Sequence, residues 1–134
     1  MTSETGQTVD REPAEPGTPY VDGFVIAVPK DRIDEYETIA RDAAAVWREY
    51  GALSVFECVA DDVPYGELTS FPRAVQATDD ETVIFSWILY ESREARDEVN
   101  EKVMADPRIK ESMAEVPFDS KRMIYGGFRT IVEL

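Results

Sequence analysis

The sequence has 134 residues, 43% of them hydrophobic, and a formal net charge of −14 from 28 acidic and 14 basic side chains. That length fits one domain with a packed core, and a chain this acidic, with no run of lysine and arginine, excludes a phosphate-binding nucleic-acid surface. Histidine is absent and cysteine occurs once, which excludes Ser-His-Asp and Cys-His catalysis, an intrachain disulfide, a cysteine zinc cluster and any His-ligated metal or haem.

Residues 1–19 are polar, acidic and proline-rich. They cannot bury enough apolar surface to offset their ordering entropy, so they are expected to be a disordered tail before a domain spanning 20–134. Tyr20–Val28 reads as a strand that Pro29 stops. Asp31 followed by Asp34 resembles a capping box opening a helix. Ile33, Tyr36, Ala40, Ala43, Trp47 and Tyr50 then recur at helical steps, and Gly51 suits the helix end. Ala52–Ala60 is a second strand. The stretch Asp61–Glu81 is long for a connection, so it is expected to be functional or to hold a turn of its own. Thr82–Tyr90 is the most buried strand, and Ser92 caps a second helix whose Ala95, Val99 and Val103 face inward. Asp106-Pro107 opens a short helix through Met113. Lys121–Glu133 is the last strand, where Gly126-Gly127 marks a bulge or a close backbone approach.

The order β-α-β-β-α-β is the split βαβ arrangement of an α+β, ferredoxin-like domain: two helices over one face of a four-stranded antiparallel sheet. Alternation puts Val83, Phe85, Trp87 and Leu89 on one face and Ile84, Ser86, Ile88 and Tyr90 on the other. Phe24, Ile26 and Val28 likewise oppose Val21, Val25 and Ala27, and Met123 and Tyr125 oppose Ile124 and Phe128. Both faces are apolar, unlike a sheet with one wet side. Each large apolar side chain left in water forfeits about 1.5–3 kcal/mol, so a homodimer through sheet faces is the expected cover.

Four blocks, YVDGFVIAVPK, GALSVFECVADDVPYGELTSFPRAV, VIFSWILYESREARDEVNEKVMADPR and PFDSKRMIYGGF, resemble the YbaA-like proteins, an uncharacterised family of unknown function. The resemblance runs from about Tyr20 to Val132, with Val116 departing from the methionine expected before Pro-Phe-Asp. It implies a dimeric α/β-barrel fold, whose superfamily holds small cofactor-free monooxygenases, isomerases and haem-dependent enzymes. It carries over no activity and no catalytic residues.

Candidate chemistry therefore comes from the residues themselves. Asp22 and Glu57 interrupt apolar strands, where burial against an apolar wall raises a carboxyl pKa and makes a general base. Tyr65 and Arg73 on the long connection are placed to lid a cavity, Arg73 gripping an anion. Trp87, Arg122 and Tyr125, with Tyr20 and Trp47, are candidates to line a pocket for a small organic ligand. Cys58 reads as a buried, inert strand thiol. No metal or cofactor is expected. The longest apolar run, Val83–Tyr90, is far short of the roughly 20 residues of a membrane span, and no leader precedes Pro19, so the expected location is cytoplasmic. Ten arginines against four lysines, among so many carboxylates, fit a salt-rich cytoplasm of halophile type.

Overall fold

The computed structural model describes residues 18–134. The tail expected over residues 1–19 therefore lies almost wholly outside the described residues. The elements follow the order β1 (Tyr20–Pro29), α1 (Ile33–Tyr50), β2 (Ser54–Val59), α2 (Phe71–Ala74), β3 (Glu81–Tyr90), α3 (Arg93–Ala105), α4 (Pro107–Met113) and β4 (Ile124–Arg129). The strands form one sheet in the order β2-β3-β1-β4. All three pairings are antiparallel. This is the ferredoxin-like arrangement, with α1 and α3 on the same face.

Period-two alternation fixes what each face carries. Towards the helices, Tyr20, Ile88 and Tyr90 pack with Val46, Val99, Val103 and Ile109. Ile26, Val28 and Ile84 pack with Tyr36 and Ala40. On the far face one end is roofed by the chain itself: Val75, just after α2, is 1% exposed and packs on Val25, Ala27 and Val83. The expectation that a second subunit alone covers this face is corrected at that end, because the long connection folds back over it. The rest stays bare. Phe56, Phe85, Ile124 and Phe128 are 42–62% exposed, and Trp87 stacks on Phe56 with ring centroids 4.7 Å apart.

Several boundaries differ from expectation, each for a local reason. No side chain caps α1, which follows a 3₁₀ turn at Lys30–Arg32. Asp31 falls inside that turn, so the Asp31/Asp34 capping box does not form, and Arg32 instead pairs with Glu35 at 2.6 Å. β4 is shorter at both ends than Lys121–Glu133. Asp119 Oδ1 accepts from the Lys121 N–H and winds Ser120–Arg122 into a 3₁₀ turn. At the other end Arg129 pairs with Tyr20, the first residue of β1, and beyond it a single long bond, from the Thr130 N–H to the Pro19 carbonyl at 3.4 Å, continues the contact. The register across Gly126 and Gly127 is unbroken, so there is no bulge; a Cβ on Gly127 would lie 2.5 Å from the Tyr20 hydroxyl. Close approach is the reason for that glycine. Elsewhere Ser92 caps α3 and Asp106 caps α4, with Pro107 in its first turn.

Candidate functional site

The cleft with the most chemical promise lies on the helix side of the sheet, at the β2 edge. Its apolar walls come from Ile33, Ala40 and Ala44 of α1 and from Val55, Val59 and Ile84 of the sheet, around about 360 Å³. The helix layer buries the centre of the sheet in β1 and β3 but leaves edge strand β2 open, exposed from Phe56 to Val59. Glu57 rises into this space because β2 turns its odd-numbered residues to the helices. Tyr36, one turn into α1, donates its hydroxyl to Glu57 Oε1 at 2.6 Å.

The electrostatics of this pair follow from that placement. Desolvation pushes the Glu57 carboxyl above its ordinary range, and the Tyr36 hydrogen bond offsets part of the rise. Burial, with the neighbouring Glu57 charge, drives the Tyr36 phenol far above its usual value, so Tyr36 stays a neutral donor. A carboxylate held by one donor against apolar walls is a stronger base than one in water. The cleft can therefore accept a proton, or a hydrogen bond, from a small molecule.

The other sequence candidates do not gather here. Asp22 also faces the helices, but in β1, with β3 between it and β2. Its carboxylate is 5% exposed as a residue and meets Arg96 Nη1 at 3.0 Å. Asn100 Nδ2 reaches its other oxygen at 3.5 Å, while Asn100 Oδ1 accepts from Trp47 and Tyr90. Arg96 also donates to the Tyr20 hydroxyl, at 3.3 Å. Tyr20 and Trp47 thus belong to this interior network. Burial raises the Asp22 pKa and Arg96 opposes the rise. Such a network ties α3 to the sheet rather than opening a site.

Arg73 is engaged by its own loop. Its guanidinium donates to the carbonyls of Tyr65 and Gly66 at 3.0 and 3.1 Å and stacks 3.8 Å from the Tyr65 ring. Gly66 has φ +70, and a Cβ there would sit 2.4 Å from the Thr69 carbonyl, so this loop is specified by its glycine and its arginine together. Arg122 is bound to both Glu81 oxygens at 2.8 and 2.7 Å and to Asp119 at 3.2 Å. Trp87 points to the face opposite the helices, and Tyr125 is 72% exposed on the far edge strand, stacked near Phe24. Cys58, expected to be buried, is instead an exposed free thiol, because it lies on edge strand β2 opposite Phe85 of the bare face.

The residues that sequence reading passes over are Tyr36, Arg96 and Asn100. Tyr36 sits in the apolar stripe of α1, and its hydroxyl acquires a role only through the register of β2. Arg96 and Asn100 stand four apart beside the inward Val99 and Val103, a spacing that places polar groups at the margin of a buried stripe.

A family described as a protein of unknown function, DUF1428, matches residues 19–120. The uncharacterized protein YbaA of Escherichia coli is 54% identical over 114 residues, spanning 85% of this chain and 97% of YbaA. Among solved structures, a NIPSNAP family protein from Agrobacterium tumefaciens superposes with a TM-score of 0.57 at 16% identity, covering 91% of this chain and 94% of its own. A mutant of SnoaB, a cofactor-independent oxygenase from Streptomyces nogalater, gives 0.56 at 13% identity, covering 86% and 96%. These structural likenesses establish the fold alone.

Proposed function

The chain belongs to the DUF1428 family, and from that footing we propose that it is a small-molecule-binding homodimer whose ligand sits in the α1–β2 cleft against Glu57. The observation that carries this reading is the Tyr36–Glu57 hydrogen bond of 2.6 Å on the wall of an otherwise apolar cleft. Asp22, which is buried, is paired with a cation, whereas Glu57 lies on the exposed edge strand with its carboxylate turned into the cleft. Among the described residues Glu57 has no salt-bridge partner, and this leaves a partly desolvated base facing solvent-accessible space. Its chemistry is removal of a proton from a weakly acidic organic molecule. That step begins both an isomerisation and a cofactor-free reaction with dioxygen, and the SnoaB likeness supports the second by analogy of fold.

The dimer half of the reading rests on charge. Between Val83 and Leu89, and on the matching residues of β1, β2 and β4, the face away from the helices carries no charged side chain. In a chain of net charge −14, that face is where a second copy approaches without mutual repulsion. The setting we propose is a salt-rich cytoplasm, on the strength of the same charge and the preference for arginine over lysine.

One observation favours sequestration without turnover: Tyr36 has its hydrogen engaged, and the cleft's other charged groups, Glu37 and Arg41, are paired with each other. Turnover and oxygen uptake across quinols and enolisable aromatics separate the two. Activity that disappears in Glu57→Gln and persists in Asp22→Asn supports the enzyme. Activity that persists in Glu57→Gln removes Glu57 as the base, and ligand retention with no turnover makes the protein a binder.

A further inference from the structure

Resting on the cleft reading above, we infer that the cleft sorts ligands by charge, admitting an uncharged molecule that offers an O–H or N–H to Glu57 and turning away carboxylates. Three charged side chains line it: Glu57, Glu37 and Arg41. Arg41 Nη2 lies 2.9 Å from Glu37 Oε2 across one helical turn, and both side chains are mostly exposed. The one cation at the rim is thus matched by its own carboxylate and screened by water. Glu57 remains as the unmatched charge.

Hydrogen bonding points the same way. Tyr36 spends its single hydrogen on Glu57 Oε1, and this is the only side-chain hydrogen bond to Glu57 among the described residues. The second carboxylate oxygen therefore seeks a donor, and a ligand hydroxyl supplies one. An incoming carboxylate meets the reverse: like charge, and a tyrosine whose hydrogen is already committed. The remaining walls, Ile33, Ala40, Ala44, Val55, Val59 and Ile84, offer only apolar side chains. They suit the flat or aliphatic body of such a ligand, held by dispersion and by release of water.

Like charges a few ångströms apart in this half-solvated setting weaken binding by on the order of tenfold to a hundredfold. The test titrates full-length protein at neutral pH with 1-naphthol, uncharged there, and with 1-naphthoate, of the same ring system but anionic. Binding is read from the NMR shifts of the Ala40, Ala44, Val55 and Val59 methyls. The inference expects naphthol to bind at least about tenfold more tightly, and Glu57→Gln to close most of that gap. Molar KCl, which screens charge, closes it in the unaltered protein too, a check that needs no folded variant. Comparable binding of the two probes with methyl shifts in the cleft overturns charge selection and leaves the cleft reading standing. A naphthol preference unchanged by both Glu57→Gln and salt also overturns it. If neither probe moves these methyls, the cleft reading falls and the inference with it.

Discussion

Replacing Asp22 by alanine isolates the interior network from the cleft. Asp22 is 5% exposed, and Arg96, with its side chain 19% exposed, lies 3.0 Å away. Removing the carboxylate leaves the guanidinium nearly enclosed without its main partner, a change that costs about 3–5 kcal/mol when a buried pair is broken. Two features pull the value to the low end. Asp97 Oδ1 stands 2.9 Å from Arg96 Nε, and the Tyr20 ring lies 4.9 Å below the guanidinium, so part of the charge is still met. We expect about 3 kcal/mol for Asp22→Ala and less for Asp22→Asn, whose amide oxygen still accepts from Arg96. Urea unfolding at fixed protein concentration, followed by tryptophan fluorescence, measures both, since Trp47 is tied to the same network through Asn100. A loss below about 1 kcal/mol for Asp22→Ala would refute the assignment of this pair as the tether of α3. So would a full loss in the alanine variant with none in the asparagine one, because the isosteric amide keeps the volume and removes only the charge.

Glu57→Gln is expected to be at least as stable as the unaltered protein at neutral pH. A carboxyl whose folded pKa is raised loses stability as pH climbs through that pKa, and the amide removes the loss; destabilisation by more than about 1 kcal/mol in urea contradicts this. Glu81 has the opposite sign. Arg122 holds its pKa down, from 4.5 to about 2, so its stabilisation is complete above the unfolded value and fades as pH falls towards about 2. Arg122→Met should flatten that acid limb of the melting profile, and an unchanged limb refutes the pairing. Phe85→Glu places a charge in the uncharged sheet face and should shift the protein to monomer at micromolar concentration in sedimentation velocity; an unchanged sedimentation coefficient assigns the interface elsewhere. A melting midpoint that stays flat or falls from low salt to molar KCl would remove salt adaptation, since screening should raise it.

The sheet was legible because alternation is local. The two faces of β3 follow from parity alone, and Ser92 and Asp106 announce the helices they cap by residue type. The start of α1 was less legible: two aspartates at capping spacing look alike whether they cap a helix or sit in a 3₁₀ turn, and the choice depends on contacts such as Lys30 Nζ to the Asp79 carbonyl at 2.9 Å. The ends of β4 were hidden for a similar reason, because strand length is set by the partner, and β1 begins at Tyr20. Site residues were harder still. Asp22 and Glu57 look alike in sequence as acids in apolar strands, yet one faces Arg96 and the other a tyrosine at an open edge. Nothing short of strand order separates them. Arg73 and Arg122 look like free cations in an acidic chain, but their partners, the Tyr65 and Gly66 carbonyls and Glu81, are supplied by loop geometry.

The most direct test of the cleft is a crystal soaked with 1-naphthol. Difference density between α1 and β2, with the hydroxyl oxygen at hydrogen-bonding distance from Glu57 and the ring against Val55 and Ile84, is the predicted result. Density lodged only elsewhere, or a cleft left unchanged while the ligand demonstrably binds in solution, would contradict it.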